Sequence, residues 1–414
     1  NERDFARFNH HDYADTESYP LFLQLSLIPS IRAGALILAP FTTNRKGELN
    51  TVDSHSRICE LYSDNDLMER GFSKVAEYHG SEYEWKKLCE RDDIDLVYIC
   101  TPWSWHTPMA VDAMKAGKYT GLEVSAAMTL EECWDLVNTH EATGSHLMLL
   151  ENVNYRRDIL AVLRMVREGV FGELIHFRCG YQHDLREVKF NNGQQPYGGG
   201  VEFGEKAISE ARWRTEYSLK RNADVYPTHG LGPVAVMADV NRGNRLLSLT
   251  SNATKAIGLH NHIVKNGGQD HPNAALKFKQ GDVITSTLET ARGETIIITH
   301  DCNLPRPYSL GFRVQGAMGL WEVDGSRIYI EGKSTPHRWD EAGHLLDQYD
   351  HALWQKYGEY ATGSGHGGMD FFVLNAFVES AKRREAPPID VYDAASWSAV
   401  TPLSERSIAE NGSS

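Results

Sequence analysis

The stretch Asp95–Ala127, DLVYICTPWSWHTPMAVDAMKAGKYTGLEVSAA, constrains the fold more than any other part of the chain. Asp95–Thr101 is a short apolar run rich in β-branched and aromatic residues, and Pro102 and the two tryptophans of PWSWH stop it. That is the pattern of a buried strand running into a loop. From Thr107 to Ala116 the apolar Met109, Ala110, Ala113 and Met114 recur at helical spacing, and Gly117 occupies the stopping position, so a short helix is expected. Tyr119–Val124 then reads as a second strand. A strand, helix, strand crossover imposes parallel pairing, and such sheets bind ligands at the carboxyl ends of their strands. Trp103, Trp105 and His106 stand at the first of these ends and Glu123 at the second, and a nucleotide is expected there.

A chain of 414 residues exceeds one ordinary core and predicts two domains. The expected division is a Rossmann-like α/β domain over residues 1–152, atypical in 1–56, and an α+β domain over 153–414. The formal charge of −14 and the absence of any basic block longer than Lys382–Arg384 exclude a nucleic-acid partner, because nothing would neutralise phosphates. The apolar runs Leu21–Ile28 and Ala33–Ala39 are far short of a membrane span. The six cysteines, at 59, 89, 100, 133, 179 and 302, form no CxxC pair and no zinc spacing, so they read as buried thiols. No metal site is expected: His260 and His262 alternate as strand or loop residues without a third ligand, and HExxH is missing.

Leu21–Ile28 and Ala33–Ala39 each read as a strand around the turn-like PSIRAG. A dinucleotide-binding domain needs a glycine-rich turn here, yet no GxGxxG exists, and Gly34 and Gly47 are too far apart to make one. Arg57–Tyr62 resembles a second strand with Glu60 near its end, where it would accept from a ribose hydroxyl or simply face solvent. Leu67–Tyr78 and Glu82–Glu90 read as helices. Thr129 with Glu132 forms a capping-box signature for a helix to about Ala142, His146–Leu150 is a strand, and Arg156–Glu168 is an amphipathic helix ended by Gly169. Strand-like segments follow at His176–Asp184, Leu246–Lys255, Val283–Thr290, Thr295–Asp301, Gly311–Val323 and Arg327–Glu331, which predicts a large antiparallel sheet. The Gly- and Asn-rich residues 191–205 read as a long surface loop. Met369–Lys382 and about Ala394–Ala409 read as the last helices.

The motifs PWSWH (102–106), GLEVS (121–125), LEN (150–152), GYQHDLR (180–186), WRT (213–215), YPTHG (226–230), PRPY (305–308) and GHGGMD (365–370) together resemble glycoside hydrolase family 109 over roughly residues 59–412. That family comprises NAD-dependent α-N-acetylgalactosaminidases and lies within the glucose-fructose oxidoreductase and inositol dehydrogenase superfamily. The resemblance implies hydrolysis of terminal α-N-acetylgalactosamine glycans with NAD as cofactor. NAD⁺ takes the hydride from sugar C3, a base removes the acidified C2 proton, the C1 substituent leaves, water adds and the hydride returns. Relatives carrying export signals imply a periplasmic or secreted home, and a homo-oligomer is a further expectation.

His229 in YPTHG is the first candidate for proton transfer, since it opens an apolar helix whose positive end favours a neutral base. Tyr181 is the second, although a phenol with pKa about 10 needs a nearby positive group to act as a base. Which of the two takes which proton is open at this level. Glu151, Arg214, Tyr226 and Tyr308, with Tyr181 and His229, match sugar-binding positions. Trp103, Ser104, Trp105, His106, Glu123, Val124 and Asn152 match NAD contacts. His183 with Asp184 reads as catalytic support or as a hydrogen-bonded strand-end pair. No lysine follows Glu123, where sugar dehydrogenases of the superfamily often carry Glu-Lys-Pro, which favours the glycosidase over the alternative of a plain sugar oxidoreductase; a further alternative is a non-catalytic sugar-binding protein that lost the nucleotide with the glycine turn.

Overall fold

A computed structural model describes residues 83–413 together with the short strands Leu36–Leu38, Thr42–Thr43 and Leu49–Asn50. Glu60, the expected strands Leu21–Ile28 and Arg57–Tyr62 and the expected helix Leu67–Tyr78 lie outside the described residues. Strands β1 (Leu36–Leu38), β2 (Leu96–Ile99), β3 (Tyr119–Leu122) and β4 (Leu147–Leu149) form a four-stranded sheet in that order, parallel throughout. Every residue of β2, β3 and β4 is buried, as a sheet covered on both faces requires. Helix α1 (Trp103–Lys115) crosses from β2 to β3, and α2 (Leu130–Thr143) from β3 to β4. The capping box expected at the start of α2 is present, with Thr129 and Glu132 each accepting the other's backbone N–H.

Helix α1 begins four residues earlier than the sequence suggests, so Trp103–His106 are its first turn and not a loop. Pro108 imitates a helix start because it has no N–H. The carbonyl it leaves without an intrahelical partner belongs to the exposed Ser104. This early start ties α1 to the chain leaving β3. Trp103 Nε1 donates to the Val124 carbonyl (3.2 Å), Thr107 Oγ1 to that of Ala126 (3.1 Å), and His106 Nδ1 faces that of Ser125 (2.7 Å). The other ring nitrogen of His106 faces the Thr101 carbonyl at 2.7 Å, so one buried imidazole bridges the ends of β2 and β3.

The second layer is an eight-stranded sheet. Along the chain its strands are β5 (Leu174–Gln182), β6 (Leu246–Ala253), β7 (Val283–Thr290), β8 (Thr295–Asp301), β9 (Arg313–Gly316), β10 (Gly319–Glu322), β11 (Arg327–Ile330) and β12 (Asp340–Glu341). Their spatial order is β12-β11-β10-β9-β5-β8-β7-β6. All neighbours are antiparallel except β5 and β8, which run parallel with Tyr181 opposite His300. The expected single strand Gly311–Val323 is two strands, because Ala317 and Met318 make a tight turn that no Pro or Asn advertises. One apolar core runs without a break from the parallel sheet to this one. The helix α3 (Arg157–Arg167) contributes Ile159, Leu160 and Met165, each worth roughly 1.5–3 kcal/mol on burial.

Three further readings are corrected. His260 and His262 lie on a helix, Gly258–Gly267, because Leu259 and Ile263 one turn apart are buried. That pair joins Phe190 and Val201 in a second small core, so residues 191–205 are anchored and not merely a surface loop. Asn191 is the hub: its side chain accepts from the Gly193 N–H (2.9 Å) and donates to the Ile208 carbonyl (2.8 Å). The last helix is two, Val391–Ser398 and Val400–Ala409, since Pro402 has no N–H for the Ser398 carbonyl.

What positions the site is the crossing of β5 by helix α4 (Thr228–Met237). A Cβ on Gly230 would lie 2.5 Å from the Gly180 nitrogen, and one on Gly180 2.1 Å from the Thr299 carbonyl oxygen, so helix and strand meet backbone to backbone. Gly230→Ala is expected to cost about 1–3 kcal/mol by overpacking. A urea midpoint equal to that of the parent would show that the two elements separate freely. His106 supplies a second test. Burial pushes its imidazole down to about 4 despite the two carbonyls that favour the cation, so the folded ring stays neutral while an unfolded one protonates. Stability should therefore fall by about 3 kcal/mol as pH drops from 6.5 to 4 through this group. His106→Gln should remove that share of the pH dependence, and identical pH profiles of the urea midpoint would refute the assignment.

Candidate active site

Strand β5 carries Tyr181 near its end, α4 carries His229 in its first turn, and Glu151 follows the last residues of β4. His229 Nδ1 lies 2.7 Å from Glu151 Oε1, which also accepts the Val153 N–H at 3.1 Å. Glu151 is completely buried. A carboxylate there keeps the proton on Nδ1 and leaves Nε2 as the basic nitrogen.

The rings around His229 form a continuous wall. Tyr181 meets it edge-on at 5.3 Å and Tyr226 at 4.8 Å, and the two tyrosines are 4.7 Å apart. Tyr181 and Tyr226 are buried, whereas Tyr308 is half exposed, which puts the open side toward Tyr308. The Tyr181 hydroxyl lies 3.2 Å from His183 Nδ1, and the His183 ring meets Tyr308 edge-on at 5.0 Å. Burial raises the Tyr181 phenol well above its ordinary range, and the Arg214 guanidinium only partly offsets this. Burial, with Arg214 second, lowers the His183 imidazole, which favours the neutral ring beside the phenol. Asp184 turns away from this pair to Arg186.

Arg214 is buried between the faces of Trp103 (5.1 Å) and Tyr226 (4.9 Å) and is paired with Glu210, one helical turn earlier and equally buried. Beside this pair opens a cleft. One wall is Thr101, Trp103, His106, Glu123 and Val124, from the carboxyl ends of β2 and β3; the other is Glu210, Trp213, Arg214 and Tyr226. The buried Thr101 hydroxyl has no hydrogen-bond partner among the described residues. Flat aromatic faces with an unmatched hydroxyl suit the planar, amide-bearing ring of a nicotinamide.

Of the expected NAD contacts, Trp103, His106, Glu123 and Val124 reach this cleft. Glu123 there accepts the Tyr98 hydroxyl at 2.7 Å. Ser104 and Trp105 are not among the residues lining the cleft, and Trp105 packs edge-on against Trp85 at 5.4 Å. Asn152 donates to Asp370 of the GHGGMD motif at 2.8 Å. The sequence reading missed Glu210 and Thr101; the spacing of Glu210 and Arg214, i and i+4, was the available signal for the first. Among the described residues no group of three or more His, Cys, Asp or Glu side chains is arranged to hold a metal ion, and no helix is long and apolar enough to cross a membrane.

Known proteins resemble both parts of the chain. Residues 38–150 match the oxidoreductase family with an NAD-binding Rossmann fold, and residues 155–414 match the glycosyl hydrolase 109 C-terminal domain. Over 339 residues the chain is 56% identical to the α-N-acetylgalactosaminidase of Tannerella forsythia, covering 81% of this chain and 72% of that protein. It is 55% identical over 352 residues to a glycosyl hydrolase family 109 protein of Stenotrophomonas maltophilia, with 84% and 78% covered. Among solved structures, an inositol dehydrogenase homolog from Azotobacter vinelandii, complexed with NADH and myo-inositol, superposes with a TM-score of 0.59 at 14% identity, covering 92% of this chain and 98% of that one. At that identity the likeness speaks for the fold. With a Rossmann layer ahead of the family's own C-terminal domain, and more than half of the aligned residues identical to those of family members, the chain belongs to glycosyl hydrolase family 109.

Proposed function

We propose that this protein hydrolyses terminal α-N-acetylgalactosaminides and retains NAD in the cleft through each turnover. The observation that carries this reading is the buried Glu151 behind His229, which aims a basic nitrogen beside Tyr181 next to a cleft suited to a nicotinamide. Bound NAD would supply a reversible oxidation of one sugar carbinol. His229 Nε2 takes the C3 hydroxyl proton and gives it back at the end of the cycle, and Glu151 holds the resulting imidazolium. Tyr181 takes the C2 proton while its own phenolic proton passes to His183 Nδ1, so a buried neutral phenol acts as a base without first ionising. Arg214, Tyr226 and Tyr308 orient the sugar, and the buried aromatic wall keeps water from the oxidised ring. The nucleotide unit then extends to residue 152 and the sugar unit from 153, with the catalytic groups drawn from both.

His229→Ala should lower the turnover of an aryl α-N-acetylgalactosaminide at least ~100-fold with the fold intact; near-normal turnover would remove His229 from the mechanism. In D₂O the released sugar should carry deuterium at C2. Release without it would argue against elimination, and continuous reduction of added NAD⁺ by free sugar would favour a plain sugar oxidoreductase.

A further inference from the structure

The cleft wall contains a charge that a returning hydride makes consequential. Arg214 is a permanent cation and is almost fully buried, so water does little to screen it. An oxidised nicotinamide ring is cationic and a reduced one is neutral. A bare guanidinium on the same cleft would favour the reduced ring, and a hydride taken from the sugar would then be returned slowly or not at all. Glu210 removes that bias. It is 3% exposed, lines the same cleft and pairs with Arg214 through a side-chain hydrogen bond. Stability alone is a poor account of such a pair, because desolvating two charges costs about what their attraction returns.

We infer that Glu210 is a positioning and charge-balancing residue: by cancelling Arg214 it keeps the bound nicotinamide poised so that the hydride goes out to the ring and comes back within one turnover. This rests on the NAD reading above. In the forward half of the cycle two electrons and a proton leave sugar C3 as hydride, the hydroxyl proton goes to His229, and the positive charge of the ring disappears. The return half reverses each transfer. The neutral Glu210–Arg214 pair leaves both halves comparably uphill, which a lone cation cannot do. Glu123, the other carboxylate on the cleft, is the same in both ring states and in every variant below, so it does not alter the comparison.

The test is the ratio of dissociation constants for NAD⁺ and NADH, measured on nucleotide-stripped protein through the fluorescence of Trp103 and Trp213 on the cleft wall. Glu210→Gln should raise that ratio on the order of tenfold in favour of NADH, while Glu210→Asp, which keeps the charge and loses the reach, should hold the parent ratio. On adding free N-acetylgalactosamine, the Gln variant should accumulate NADH absorbance that the parent does not. An unchanged ratio in Glu210→Gln, or an equal shift in Glu210→Asp, overturns the inference and leaves Glu210 a packing partner. Should Glu210→Gln not fold, Arg214→Gln carries the opposite expectation, a lower ratio, and a rise or no change overturns the inference equally. Parent protein that binds neither form of the nucleotide overturns the NAD reading itself.

Discussion

The backbone contact between Gly230 at the start of α4 and Gly180 of β5 is the constraint on which the site depends. A side chain at Gly230 would push the helix off the strand, and with it His229 away from Tyr181, the residue that follows Gly180, while one at Gly180 would press on Thr299 of the neighbouring strand. The two glycines of YPTHG and GYQHDLR are thus one feature seen from two places in the chain. Once helix and strand are in contact, Tyr226 packs over Tyr181, and Glu151 arrives beneath His229 from the end of the parallel sheet. A continuous core joins the two sheets, so the site is held by packing on every side except the one that Tyr308 borders.

Burial then dictates how charge is handled. A single charge enclosed among aromatic rings would be expensive, and the site holds its ionisable groups as pairs: Glu151 with His229, and Glu210 with Arg214. Tyr181 and His183 solve the same problem differently, by both remaining neutral and sharing a proton across 3.2 Å. The nearby guanidinium that a basic phenol requires is present, yet desolvation outweighs it.

Readings from the chain succeeded where a local pattern had a local cause. The capping box of Thr129 and Glu132 and the hairpin strands Val283–Thr290 and Thr295–Asp301 appear where expected, because capping and alternation act over a few residues. They failed where a proline or a plain turn gave a false sign. Pro102 and the tryptophans of PWSWH read as a loop and hid the turn that carries Trp103 and His106. Ala317–Met318 concealed a hairpin, and Pro402 divided what looked like one final helix. The hub at Asn191 was hidden for a related reason, since a Gly- and Asn-rich composition says nothing about which asparagine is buried.

The sequence by itself determined the parallel crossover, the order of the two layers and the motif residues from which the family follows. Periodicity, turn chemistry and residue type act along the chain, and one chain is enough to read them. The tertiary structure alone decided that Glu151 lies behind His229, 78 residues away in the chain; that the Tyr181 hydroxyl meets His183 Nδ1; and that Trp105 packs on Trp85 while Trp103 and His106 line the cleft. These relations are set by how helices and strands pack and by which side chains lose water when they do. Neither quantity is a property of any segment taken alone.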